Sequence, residues 1–185
     1  MDVVVAGGGI AGLTVALTCH QVGVPVRVYE AAPELRPLGL GINLQPHAVR
    51  ELVELDLADE LAAIAVETHE LALVDVDGTE IWSEPRGRAA GYDWPQYSVH
   101  RGQLEMLLYR AVRERLGDDT VRTGRSVAGY EHGRDAVRVA LATDDGTIEH
   151  VDADVLIGAD GLHSAVRSQM FPGDGGPRWG GSVLW

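Results

Sequence analysis

The sequence predicts an α/β fold: a parallel sheet founded on a Rossmann-like βαβ unit, followed by a smaller antiparallel β layer. Two observations carry this. A β-branched run, Val3–Ala6, breaks into Gly7-Gly8-Gly9, continues as a helical pattern and returns as a second apolar run ending at Glu30. Strand, helix and strand within about thirty residues make a βαβ unit. Further on, two alternating apolar runs flank Asp145-Gly146, the dipeptide that closes a tight hairpin.

The elements follow in order. Ile10 to Val22 reads as a helix with two apolar stripes, Ile10/Leu13/Leu17 and Ala11/Val15/Cys19/Val22, so it is expected to be largely buried. Gly23 is placed to end it. Pro25–Tyr29 is the second strand. Pro46 opens a second helix, with Val49, Leu52, Val53 and Leu57 at helical spacing. Leu71–Val76 and Thr79–Ser83 flank Asp77-Gly78 as a hairpin, and Glu84–Pro95 reads as a loop. A long helix from about Arg101 to Leu116 buries Leu104, Leu107, Leu108 and Ala111. Strands are expected near 121–123, 127–131, 136–143 and 147–151, then a buried strand at Val155–Ile157 and a short helix around Ser164–Met170. A Pro/Gly-rich stretch follows Phe171.

Composition narrows the partners. Net charge is −13, and all fifteen cations are Arg. An acidic surface repels phosphate backbones and anionic lipid, so neither nucleic acid nor a membrane is expected as a partner. Without lysine there is no lysine Schiff-base chemistry. Cys19 is the single cysteine, which excludes an intramolecular disulfide and suits the cytoplasm. The seven His lack metal-ligand spacing, so no metal site is expected.

Gly7-Gly8-Gly9-Ile10-Ala11-Gly12 fits G-x-G-x-x-G. Gly7 permits the turn out of the strand, Gly9 lets backbone approach a pyrophosphate, and Gly12 lets the helix pack on the sheet. Ala11 lies in the helix's first turn, whose N–H groups and dipole favour phosphate. Glu30, at the end of the second strand, is placed to accept hydrogen bonds from ribose hydroxyls, and its charge disfavours a 2′-phosphate there. The plain alternative is a Gly-rich turn beside a solvated glutamate. This motif suits FAD or NAD equally.

A second run, Asp154-Val155-Leu156-Ile157-Gly158-Ala159-Asp160-Gly161-Leu162-His163-Ser164-Ala165-Val166-Arg167, resembles the DG fingerprint of flavoprotein hydroxylases and favours FAD. Its plain alternative is a strand–turn–helix with Asp160 as helix cap. Between the two motifs, Ser98-Val99-His100-Arg101-Gly102-Gln103-Leu104 precedes the long helix. Arg101 is either a cofactor-facing cation or a surface ion pair with Glu105.

These runs, with Leu35–Pro46, Ile81–Gly87 and Pro95–Gly102, resemble class A flavoprotein monooxygenases of the p-hydroxybenzoate and salicylate hydroxylase type. The similarity is greatest to the phenazine branch, 5-methylphenazine-1-carboxylate 1-monooxygenase. The resemblance implies a glutathione-reductase-like flavoprotein fold and FAD as cofactor, with NADH or NADPH as co-substrate and O2 and a small aromatic molecule as substrates. It implies flavin contacts at Gly41 and Ile42, an Arg101 contact to FAD, backbone contact at Val127, and cofactor contact at Asp160 and Gly161. No side chain of this chain is assigned as catalytic acid or base. The family's second Gly-Asp motif and substrate sheet are not found. The expected organisation is therefore a FAD-binding domain over 1–69 and 98–172, a hairpin and loop at 70–97 facing a substrate domain, and the start of that domain at 173–185. A homodimer is left open. The alternatives are a flavin reductase or halogenase of the same fold, or an inactive FAD-binding fragment.

Overall fold

A computed structural model describes residues 1–182. The chain divides into two compact units, one of Met1–Leu35 with Leu108–Trp185, the other Arg36–Leu107. The last three residues of the expected 173–185 segment lie outside the described residues.

The first unit is the predicted α/β body. Strands β1 (Val3–Ala6), β2 (Val26–Tyr29), β8 (Val121–Arg122) and β12 (Val155–Gly158) form a parallel sheet in the order β12-β1-β2-β8. Alternation along β1 sends successive side chains to opposite faces. Val5 faces helix α1 (Ile10–Gln21), where a Cβ at Gly12 would touch it. Val4 and Ala6, with Tyr29, pack against Val127, Val137, Val139 and Leu141 of a second, antiparallel sheet. That sheet is β9 (Arg125–His132), β10 (Val137–Thr143) and β11 (Ile148–Ala153), in the order β11-β10-β9. The result is helix, parallel sheet and antiparallel sheet in three layers, with β1 buried throughout because it is covered on both faces.

Helix α5 (Ala165–Met170) is stapled to β9 by one side chain. The Gln169 amide accepts from the Tyr130 N–H at 2.9 Å and donates to the Tyr130 carbonyl at 2.5 Å, so it mimics a neighbouring strand.

The second unit holds β3 (Gly41–Leu44), β4 (Ala65–Thr68) and β7 (Gln96–His100) as an antiparallel sheet in the order β3-β7-β4. It also holds α2 (Pro46–Glu54), α3 (Ala58–Ile64), the two-stranded β5 (Glu70–Val74) with β6 (Glu80–Pro85), and a 3₁₀ turn at Gly87–Ala90. Helix α4 (Arg101–Leu116) begins in this unit and ends in the first.

Three expectations need correction. Helix α1 is buried along Gly12, Leu13, Ala16 and Leu17, and Ala11 and Val22 are exposed, because the sheet covers one side of it. Strand β12 is half-exposed rather than buried, since among the described residues it pairs with β1 alone and forms the sheet's edge. The stretch expected to be a loop from Glu84 contains the end of β6 and the 3₁₀ turn. No helix among the described residues is long and apolar enough to cross a membrane.

The join between β1 and α1 yields a prediction whose sign is informative. Helix propensity alone would make Gly12→Ala stabilising by roughly 0.5–1 kcal/mol. The added Cβ, however, would collide with the Gly7 carbonyl oxygen, which is backbone and cannot turn aside. Overpacking of this kind costs about 1–3 kcal/mol. Urea unfolding of Gly12→Ala should therefore show a lower midpoint than the parent; an unchanged or raised midpoint would contradict this packing.

Candidate cofactor site

The carboxyl ends of β1, β2 and β12 open onto a cleft of about 370 Å³. In open α/β sheets this is where ligands bind, at the point where chain connections diverge. Gly7, Gly9, Glu30, Val127, Asp160 and Gly161 line it. Six of the eleven cofactor positions expected from sequence thus converge, although they are spread from residue 7 to residue 161.

Backbone geometry brings the two glycine turns together. Gly7, at φ +101°, donates its N–H to the Tyr29 carbonyl at 2.7 Å. The Ala159 N–H donates to the Ala6 carbonyl at 2.8 Å. A Cβ on Gly7 would strike the Ala159 carbonyl, so the turn after β1 and the turn after β12 meet there with no room for a side chain.

Gly9 differs. It is the N-cap of α1 with extended backbone, φ −73° and ψ −175°, and makes no side-chain cap bond. A Cβ built there meets nothing within 4 Å. The first turn of α1 carries no acidic residue, and Ala11 is exposed on it. Open space at an uncapped helix N-terminus suits a diphosphate, which the helix dipole and free N–H groups attract.

Glu30 stands beside this loop and is tied to it. Its Oε2 accepts from the Gly8 N–H at 2.6 Å and its Oε1 from the Ala32 N–H at 2.8 Å. Gly8 is packed against this side chain: a Cβ there would lie 3.0 Å from the Glu30 Cβ. The backbone of Glu30 is also fixed, its N–H donating to the Arg122 carbonyl and its carbonyl accepting from the Arg125 N–H. Each carboxylate oxygen retains a second lone pair for a ribose hydroxyl.

Asp160 presents backbone to the cleft and turns its carboxylate toward α5. Its Oδ1 accepts from Ser164 Oγ at 2.5 Å, and its Oδ2 accepts from the Ala165 N–H at 2.7 Å. Ser164, the N-cap of α5, accepts in turn from the Arg167 N–H at 2.9 Å. Arg167 Nη2 donates to the Leu162 carbonyl at 2.8 Å. The polar residues of the DG run therefore brace the turn, and Gly161, at φ +77°, completes it.

Gly41, Ile42 and Arg101 lie in the second unit. Gly41 pairs with His100 and Ile42 with Val99 where β3 meets β7. Arg101 donates to the Leu38 carbonyl and pairs with Glu105. Sequence reasoning missed Tyr29, Ala31, Ser126, Ala159, His163 and Ala165 as cleft-lining residues. Their types are unremarkable in sequence, and only their adjacency to motif residues could have flagged them.

A family model described as "FAD binding domain" matches residues 1–173. The phenazine 1,6-dicarboxylic acid hydroxylase PhzS of Lysobacter antibioticus is 51% identical to this chain, over 92% of this chain and 43% of its own length. The 3-amino-4-hydroxybenzoate 2-monooxygenase of Streptomyces cremeus is 40% identical, over 98% of this chain and 44% of its own. Among solved structures, 2,6-dihydroxypyridine-3-hydroxylase from Arthrobacter nicotinovorans superposes with a TM-score of 0.70 at 31% identity, over 92% of this chain and 39% of that one. The chain thus spans less than half the length of these relatives.

The contrast between Gly9 and Glu30 is testable. Gly9→Ala should lower urea stability by no more than about 1 kcal/mol, the cost of alanine in place of glycine at a helix N-cap, since the methyl meets no protein atom, yet weaken FAD about 10-fold or more by filling the space a diphosphate needs. Glu30→Ala should lower both, because it removes charge-assisted bonds worth roughly 1.5–3 kcal/mol each to the loop and to any ribose. Titration of apo-protein with FAD, beside urea unfolding, separates the two. Full affinity in Gly9→Ala would place the diphosphate elsewhere.

Proposed function

The chain belongs to the FAD binding domain family, and on that premise we propose that it is the flavin-holding part of an NAD(P)H-dependent monooxygenase that hydroxylates a small aromatic substrate. The observation that carries this reading is the cleft at the uncapped start of α1, with Gly9 leaving space, Glu30 at its wall and the Asp160-Gly161 turn opposite.

The residues divide the work. Gly7, Gly9, Ala11 and Gly12 form the loop and first helical turn that face the diphosphate. Glu30 accepts from the adenosine ribose, and the Val127 backbone borders the adenosine side. The backbone at Asp160 and Gly161 faces the remainder of the dinucleotide. Gly41 and Ile42, at the start of β3, offer backbone to the flavin ring. Bound FAD supplies the redox chemistry, accepting reducing equivalents from NADH or NADPH and allowing one oxygen atom of O2 to reach the substrate. The protein's task is to position the cofactor and exclude water. No side chain of this chain is assigned as acid or base in this scheme.

The names of the relatives support the reaction class. One is a phenazine dicarboxylic acid hydroxylase and the other an aminohydroxybenzoate monooxygenase; both act on aromatic acids. We extend the same class to this chain, with a phenolic, salicylate-like or phenazine-like ring as substrate. Residues 1–69 and 98–172 would serve the flavin, and 70–97 would face the substrate-binding part.

Mass spectrometry decides between oxygen insertion and simple flavin reduction. The protein, extended by its natural downstream sequence where one exists, is given FAD, NADH or NADPH and a panel of aromatic acids under ¹⁸O2. A product carrying one labelled oxygen is expected. NAD(P)H oxidation across the panel that yields only hydrogen peroxide or reduced acceptor would favour a reductase.

A further inference from the structure

His100 ends β7, immediately precedes α4 and stands opposite Gly41 of β3. The Arg101 N–H donates to the Leu40 carbonyl at 2.9 Å. The adjoining pair, His100 with Gly41, is therefore of the non-hydrogen-bonded kind, in which opposed residues stand closest and share one face of the sheet. A side chain at position 100 can lean over Gly41 from there. Yet Gly41 is exposed, and a Cβ built on it would meet nothing within 4 Å among the described residues. The half-buried imidazole is turned to α4 instead, where its Nδ1 accepts from the Gln103 N–H at 3.3 Å. Gln103 is the third residue of α4, so this bond satisfies one of the N–H groups that a helix start leaves without a partner. To accept, Nδ1 carries no hydrogen, and the ring's hydrogen sits on Nε2.

A second side chain that flanks Gly41 on this face is restrained as well. Asn43, two residues along β3, accepts at Oδ1 from Ser98 Oγ at 2.7 Å, and Ser98 Oγ lies 3.1 Å from Thr68 Oγ1. His100 across the sheet and Asn43 along the strand are thus each committed to a partner away from Gly41.

We infer that His100 is a positioning residue for the flavin: as the cap of α4 it holds its ring off Gly41 and keeps clear the face of β3 that offers backbone to the flavin ring. The cap also steadies the first turn of α4, which begins at Arg101, so one side chain sets the surroundings of two proposed cofactor contacts. A serine would satisfy the same N–H. Imidazole adds a flat ring that covers or clears the space beside Gly41 according to its rotamer. The inference rests on the function proposed above.

Three substitutions of His100, studied in the full chain, separate the ring from the cap. His100→Asn keeps an acceptor for the Gln103 N–H and removes the ring. His100→Phe keeps a ring that no hydrogen bond holds, and His100→Ala removes both. FAD titration should give affinity within about 2-fold of the parent for His100→Asn, a loss of about 10-fold or more for His100→Phe, and a smaller loss for His100→Ala. Amide exchange of Gln103 without FAD should quicken in His100→Phe and His100→Ala alike and stay parental in His100→Asn. A helix cap with no bearing on the flavin would weaken FAD equally in His100→Phe and His100→Ala, since both lose the same bond. That result, or parental affinity in His100→Phe, overturns the inference.

Gly41→Ala keeps the test decisive where a His100 variant fails to fold. Its methyl enters the same space without touching a protein atom, so FAD should bind about 10-fold more weakly while Gln103 exchange is unchanged. Combined with His100→Phe, the loss should fall short of the product of the two, because both groups fill one space. Parental affinity in Gly41→Ala would show that the flavin does not lie on this face and would overturn the inference. Failure of the parent to bind FAD would sink the proposed function and the inference with it; parental binding with equal losses in His100→Phe and His100→Ala would sink the inference alone.

Discussion

The first unit depends on one close approach: the backbone of Gly7 against the turn at Ala159. There the end of β1, the start of α1 and the exit of β12 come within contact distance, and neither Gly7 nor Gly12 has room for a side chain. Two chain segments remote in sequence, the glycine loop between β1 and α1 and the turn after β12, are thereby fixed to each other by backbone packing. The hydrogen bonds Gly7 N–H to Tyr29 and Ala159 N–H to Ala6 place this contact in the sheet itself. A cleft at that junction inherits the rigidity of the buried β1 strand, which suits a site that must hold a dinucleotide in one position.

Around that contact, polar side chains keep the cleft's walls in shape. Glu30 ties the glycine loop to the end of β2. Asp160 and Ser164 brace the second turn from the far side, and Gln169 fastens α5 to β9. The acidic residues near the cleft thus have structural partners in the protein alone. What remains open is backbone: the helix start at Gly9 and Ala11, and the turn at Gly161. A site built chiefly from backbone N–H groups can face an anionic cofactor even in a chain of net charge −13.

Much of this was legible in sequence because glycine and turn chemistry are local. G-x-G-x-x-G between two β-branched runs specified β1, α1 and β2, and Asp145-Gly146 specified the β10–β11 hairpin. In the second unit the helix at Pro46 and the β5–β6 hairpin were legible, but the three-stranded sheet was hidden. Its strands Gly41–Leu44, Ala65–Thr68 and Gln96–His100 are four or five residues long, too short for alternation to stand out from a loop. Their pairing order, with β7 between β3 and β4, is set by contacts no window can see. The burial of Glu105 was likewise unreadable, since an Arg/Glu pair at i and i+4 looks the same on a surface as over a covered helix start. Half-exposure of β12 followed from its place at the sheet edge, which composition does not encode.

The central claim is that the cleft beside Gly9 and Glu30 holds FAD. The most direct test is to denature the purified protein, loaded with a nucleotide mixture and freed of excess, and to separate the released nucleotides by chromatography. The account predicts FAD, close to one per chain, with little NAD and little FMN. Release of NAD without flavin, or of no nucleotide from protein shown by urea unfolding to be folded, would contradict it.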